Sequence, residues 1–128
     1  RDGMARALIE LGIRRRIPLY GFCRGMQSIL DYFGNQLMEV KGHVAVRHLV
    51  YEGEKTYEVN SYHNQACVEL ERSCGLRSMS QAEDGVIEAV CHQCLPIVGT
   101  MWHPEREKEF AAQDIGRIKV LFRGRKNG

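Results

Sequence analysis

Two groups of residues could do chemistry together. The first is Gly21-Phe22-Cys23-Arg24-Gly25, a thiol with a glycine on either side of it in the pattern of a nucleophile elbow. At such a turn the reactive side chain projects from the end of a strand at the start of a helix, and glycines leave room for the tight backbone. The free N–H groups that open the helix point at the sulfur and favour thiolate, the reactive form. Taken alone, the pentapeptide also suits a buried structural cysteine beside turn glycines. The second group is Trp102-His103-Pro104-Glu105. A cysteine nucleophile needs a base, and the base needs a group that fixes its tautomer. His103 offers the imidazole and Glu105 the carboxylate, while Pro104 restricts the backbone between them. A histidine near a glutamate is by itself more often a surface pair. Joined to the elbow, the residues read as a triad of Cys23, His103 and Glu105.

The rest of the pattern has to set these groups side by side. Residues 2–16 carry Met4, Ala5, Leu8, Leu11 and Gly12 at helical spacing, with Asp2 as N-cap and Gly12 loosening the end. Residues 17–22 read as a short buried strand, with Pro18 where a missing N–H is tolerated. Met26, Ile29, Leu30 and Phe33 return to helical spacing over 24–33, and Gly34-Asn35 stops that helix. The stretch 17–33 is thus strand, sharp turn, helix. Short strands follow at 37–40, 44–50, 56–59, 77–81 and 86–90, punctuated at Gly42, Glu52-Gly53, Ser73-Cys74-Gly75 and Asp84-Gly85. Residues 97–102 form a last apolar strand, so His103 falls at a strand end, where α/β active sites collect. A helix over 113–122 closes the pattern. Helices flanking a mixed sheet make an α/β fold.

The chain has 128 residues, 44% hydrophobic and 27% charged, enough for one domain with one core. A formal net charge of +2 does not call for nucleic acid as a partner. Arg14-Arg15-Arg16 and Arg123-Gly124-Arg125-Lys126 read as solvated helix ends or tails. No apolar run approaches the roughly 18 residues that span a bilayer, so no membrane partner is expected. The five cysteines, Cys23, Cys67, Cys74, Cys91 and Cys94, do not space out as a disulfide framework and fit a reducing cytoplasm. Cys91-His92-Gln93-Cys94 could be half of a zinc site or a redox pair. It lies between two strands and before Leu95-Pro96, and a hairpin turn accounts for it better. His43, His48 and His63 could cluster in a pocket. His43 and His48 read as structural strand histidines, while His63 belongs to a longer motif.

The cysteine elbow followed at a distance by His-Pro-Glu resembles class I glutamine amidotransferases and their relatives, the γ-glutamyl hydrolases of the peptidase C26 type. Arg1-Asp2 resembles the start of the helix before the nucleophile strand, and Gly21-Phe22-Cys23-Arg24-Gly25-Met26-Gln27 resembles the elbow. Val59-Asn60-Ser61-Tyr62-His63-Asn64-Gln65 is similar to the substrate-side loop of γ-glutamyl-γ-aminobutyrate hydrolases. Gly85-Val86-Ile87-Glu88-Ala89 and Met101-Trp102-His103-Pro104-Glu105-Arg106-Glu107 also match the family. Within it, Gly42-His43-Val44 and the ending from Trp102 to Glu107 look similar to γ-glutamyl-CDP-amidate hydrolases of capsule-sugar phosphoramidate synthesis.

The resemblance implies a flavodoxin-like α/β sheet flanked by helices, and acyl transfer on a small γ-glutamyl amide. Cys23 would attack the γ-carbonyl, His103 would move the proton, Glu105 would orient His103, and the Arg24 N–H would form part of an oxyanion hole. Gln27, Asn60, Ser61, Tyr62 and His63 would face the substrate. No metal or organic cofactor is implied. A glutaminase subunit passing ammonia to a synthetase partner is the neighbouring alternative, and a catalytically silent binding module on the same fold is a third. In the family, strands and a glycine loop that completes the oxyanion hole precede the first helix. Residues 1–128 are therefore expected to be the C-terminal portion of a single domain whose N-terminal strands are missing. One side of the nucleophile strand would then be unpaired and apolar faces left open.

Overall fold

The computed structural model describes residues 2–107, 109 and 111–126, with side chains described only within 3–122. Arg1, the Asp2 cap and the side chains of the Arg123–Lys126 cluster lie outside the described residues. The chain runs α1 (Asp2–Arg15), β1 (Leu19–Phe22), α2 (Arg24–Tyr32), β2 (Met38–Glu39), β3 (Val44–Glu52), β4 (Lys55–Tyr62), β5 (Gln65–Ala66), β6 (Leu76–Ala82), β7 (Ile87–His92), β8 (Ile97–Thr100), a 3-10 turn (Pro104–Arg106) and α3 (Ala112–Lys126). A six-stranded sheet has the order β1-β8-β7-β6-β3-β4, and β2 and β5 pair apart from it. Only β1 and β8 are parallel; the other neighbours are antiparallel. This is the mixed, helix-flanked α/β sheet that the sequence pattern predicts. Among the described residues β8 is the one strand beside β1, so β1 ends the sheet.

The apolar spacing of α2 explains its seat. Met26, Ile29 and Leu30 are buried and join Ile87, Val90, Ile97 and Met101 in the main core cluster. Each such side chain contributes roughly 1.5–3 kcal/mol by leaving water. A smaller cluster of Val50, Val59, Ala89 and Trp102 packs separately. The first helix differs from its reading. Met4, Leu8 and Leu11 are 72%, 58% and 37% exposed. The face that docks carries Ile9 and Ile13, and a Cβ on Gly12 would come 2.8 Å from Leu19 Cδ1. Two apolar stripes compete on this helix, and the one that brings a glycine close to β1 is the one used.

Several strands outrun their predicted ends because ladder pairing carries polar residues. β4 continues through Asn60 and Ser61, which pair with Arg47 and Val46 of β3, and β7 continues to His92 opposite Leu76. At the shift of register between Val44 and Val46, Ala45 takes a left-handed φ of 55°. No helix among the described residues is long and apolar enough to cross a membrane.

Gly21 is the tightest point between β1 and α2. A Cβ there would lie 2.6 Å from the carbonyl carbon of Gly25 and 2.9 Å from its oxygen, backbone atoms that cannot swing aside. Gly25 itself has open space where its Cβ would be, so its smallness is not what the turn requires. Gly21→Ala is expected to destabilise the protein by about 1–3 kcal/mol through overpacking. Denaturant titration checks this, and an unchanged midpoint would show that the elbow can yield.

Candidate active site

Cys23 stands between β1 and α2 as the N-cap residue of α2, with φ 49° and ψ −98°. A non-glycine residue held there is strained by the order of 1–3 kcal/mol, and the surrounding bonds enforce it. The Cys23 N–H donates to the Thr100 carbonyl at 2.7 Å, and the Gln27 N–H donates back to the Cys23 carbonyl at 2.9 Å. Phe22 is in register with Thr100 on the adjacent parallel strand β8. His103 follows Thr100 by three residues. The thiol and the imidazole therefore emerge at the same end of neighbouring strands.

His103 is fixed from two sides. Its backbone N–H donates to Asn60 Oδ1 at 2.9 Å, and its carbonyl accepts from Asn60 Nδ2 at 2.8 Å, so one amide side chain holds both backbone polar groups of the residue. Its ring Nδ1 lies 2.8 Å from Glu105 Oε2. A carboxylate accepts and does not donate, so this contact puts the proton on Nδ1 and leaves Nε2 a free lone pair, the form a general base needs. The Tyr62 ring centroid sits 6.0 Å from that of His103, and the Arg106 guanidinium lies over Tyr62 at 4.6 Å.

The charge balance at sulfur differs from what the helix start implies. Burial pushes the Cys23 thiol above its ordinary pKa, outweighing Arg106 and the amide and side chain of Arg24, which pull it down; Glu88 adds to the rise. At this sulfur desolvation therefore outweighs the neighbouring Arg24 amide and the two arginines.

The residues expected on the substrate side divide. Asn60 is engaged with His103 and also donates to Glu107 Oε2 at 2.8 Å. Ser61 is fully buried, and its hydroxyl donates to the His43 carbonyl at 2.7 Å. His63 is buried, with Nε2 3.2 Å from Glu88 Oε2. These three side chains therefore have internal partners. Tyr62 is 44% exposed, and Gln27 donates to the Gln65 carbonyl at 3.1 Å beside a cavity of about 710 Å³ that Arg24, Gly25 and Gln27 help to line. The sequence reading missed the clamp behind His103. Arg47 grips Glu107 with two N–H groups at 2.9 Å each and donates to Glu58 at 2.7 Å. Its signal was only an arginine in a strand. Trp102 is likewise locked by Asp114, which accepts its indole N–H at 3.0 Å, and by Arg117, which bonds Glu52 and Tyr57.

Cys91-His92-Gln93-Cys94 closes a turn. His92 Nδ1 accepts the N–H groups of Cys94 and Leu95 at 3.0 Å each, and all five cysteines are free.

The clamp gives a pH dependence. Hydrogen bonds from Arg47, then from Asn60, hold the Glu107 carboxyl below its ordinary value of 4.5. A depressed carboxylate contributes stability that is full above the ordinary value and is lost as pH falls through the lower folded value. Stability is therefore expected to drop below about pH 4.5, and Glu107→Gln should flatten that part of the profile. Denaturation midpoints across pH 2 to 7 would measure it, and parallel profiles for the two proteins would contradict it.

Comparison with known proteins gives the family and the fold. Residues 3–119 match the family described as glutamine amidotransferase class-I. The chain belongs to that family. A γ-glutamyl-CDP-amidate hydrolase of Campylobacter jejuni is 36% identical over 121 residues, 94% of this chain and 56% of that protein. The γ-glutamyl-γ-aminobutyrate hydrolase PuuD of Escherichia coli K12 is 28% identical, covering 97% of this chain and 58% of its own length. The chain thus spans a little over half the length of these class-I relatives. Among solved structures, a glutamine amidotransferase of Thermotoga maritima superposes with a TM-score of 0.66 over 94% of this chain and 53% of its own, at 18% identity. That likeness shows the shared fold.

Proposed function

We propose that this class-I amidotransferase chain carries the catalytic residues of a hydrolase that cleaves a small γ-glutamyl amide through a γ-glutamyl thioester on Cys23. The observation that carries the reading is the strained Cys23, bonded through its amide to the strand whose end bears the His103–Glu105 pair. His103 Nε2 takes the thiol proton as sulfur attacks the γ-carbonyl, and the Arg24 N–H faces the charge that develops on oxygen. The C–N bond breaks as His103 returns the proton to the leaving amine. Water, deprotonated by His103, then cleaves the thioester and releases glutamate and the free thiol. Gln27 and Tyr62 hold the glutamyl end, and Asn60 positions His103 rather than touching substrate. The open edge of β1 and the half-length match support the reading that upstream strands of a larger domain complete the sheet and the oxyanion hole.

The relatives named as γ-glutamyl hydrolases support the hydrolase reading, and an ammonia-supplying subunit is the second reading. Glutamate release from glutamine, γ-glutamyl-γ-aminobutyrate and a nucleotide-linked γ-glutamyl amidate tests this. The expected result is faster turnover of one of the two larger amides than of glutamine, with no other protein added. Turnover of glutamine alone, and only with a synthetase present, would favour the amidotransferase alternative.

A further inference from the structure

Four side chains outside the proposed triad converge on one point. His43 precedes β3, His48 lies on it, His63 follows β4 and Glu88 lies on β7. One donor atom from each lies within 4.8 Å of all the others. The Glu88 and His63 side chains are 0% exposed and that of His43 is 4%, with His48 at 18%. A bare carboxylate in such a place is costly unless something positive meets it.

The hydrogen bonds on the far sides of two rings make the need sharper. His43 Nε2 is 2.7 Å from Asp84 Oδ2, and His48 Nδ1 is 3.1 Å from the Leu49 carbonyl. Both partners can only accept, so these nitrogens carry the protons in the neutral rings. His43 Nδ1 and His48 Nε2 are left as lone pairs, facing Glu88 Oε2 at 3.5 Å and Oε1 at 3.7 Å. Neither nitrogen has a hydrogen-bond partner, and nor has Glu88 Oε1. His63 turns Nε2 toward Oε2 at 3.2 Å. At His43 and His48 acceptor thus faces acceptor, which is the arrangement of a ligand set, while His63 Nε2 stands within hydrogen-bond distance of the same carboxylate.

The spacing is right for a metal. Donor atoms bound at about 2.0–2.1 Å in a tetrahedron stand about 3.3 Å apart. The histidine contacts to the two Glu88 oxygens are 3.2, 3.5 and 3.7 Å, and one donor from each residue lies within 4.8 Å of the others, a set that draws in slightly on a bound ion. The His43–Asp84 bond is the carboxylate–imidazole support usual behind a metal-bound histidine. Three imidazoles and one carboxylate suit a borderline divalent ion of the first transition row.

We propose that His43, His48, His63 and Glu88 bind one divalent ion of the zinc class, as a closed structural site tying the β3–β4 hairpin to β7. Four protein ligands leave no open position, as in structural rather than catalytic sites. The site buttresses the proposed catalytic loop, because the Glu88 carbonyl accepts the Met101 N–H at 2.8 Å, two residues before His103. It does not depend on the proposed reaction, and Cys23→Ala should keep it.

Chelator-stripped, purified protein would be titrated with Zn²⁺ and Co²⁺, following metal content, melting temperature and visible absorption. The expected result is one equivalent bound per chain, a higher melting temperature on loading, and cobalt bands of a four-coordinate nitrogen–oxygen site without a thiolate-to-cobalt band. Asp84→Asn, at a side chain 52% exposed, should fold normally and weaken binding about 10–100-fold. His48→Ala should lose the equivalent, and the paired Cys91→Ser, Cys94→Ser protein should keep it. No stoichiometric metal, a thiolate band, or unchanged affinity in both Asp84→Asn and His48→Ala would overturn the proposal.

Discussion

Cys23→Ala is expected to bring glutamate release down to background, a loss of about 10⁵–10⁶-fold, while the protein stays folded. The side chain is buried but lies outside the three main hydrophobic clusters, so its loss leaves no large cavity in the core. Alanine also has no sulfur for a base to activate, so a water-mediated route has only the remaining binding and electrostatic help. Cys91 and Cys94 provide the contrast. Cys91 lies near the end of β7 and Cys94 in the turn into β8, and Cys91→Ser or Cys94→Ser should keep most of the activity. Steady-state rates of the three variants check the ranking, and the reverse order would remove Cys23 from the mechanism.

His103→Ala is expected to cost about 10²–10⁴-fold in kcat/KM, since both the attack and the departure of the amine need its proton transfers. Glu105→Gln is the more telling change. Glutamine keeps the shape but can donate to Nδ1, which shifts the ring proton to Nε2 and removes the lone pair that the proposed proton transfer needs. A wrong tautomer of this kind can cost as much as about 10⁴-fold, and the half-exposed position of Glu105 should soften that toward about 10²-fold. Activity within a few-fold of the parent for Glu105→Gln would mark the His103–Glu105 contact as an ordinary surface pair.

The parts of this fold that a linear reading reaches are those whose determinants lie close together in sequence. The turn from β1 into α2 is written in Gly21 and in the spacing of Met26, Ile29 and Leu30. The strand before His103 is written in its apolar run. Local pattern failed where partners decide. Asn60 and Ser61 look like loop residues, yet pairing with β3 carries β4 through them, and their side chains turn inward to His103 and His43. In α1 the stripe of Met4, Leu8 and Leu11 is as regular as the one that docks, and only the close approach of Gly12 to Leu19 tells them apart. The histidines show the limit most clearly. The three histidines could share a pocket on sequence alone, but His43 and His48 read as structural strand residues and Glu88, distant in sequence, gives no sign of joining them. Only the antiparallel register of β3 with β4, and the sheet that places β7 one strand beyond β3 with β6 between, bring their donor atoms together. The thiol gives the converse lesson. Its place at a helix start is legible, but burial reverses the expected effect on its pKa, and burial is a property of the folded chain.

The central claim is that Cys23 carries the glutamyl group. It is tested most directly by acid-quenching the protein during turnover of a γ-glutamyl amide and mapping the covalent adduct by peptide mass spectrometry. The account predicts one glutamyl group on the peptide containing Cys23, lost on standing at neutral pH and absent from Cys23→Ala. An adduct on any other residue, or steady turnover by Cys23→Ala, would contradict it.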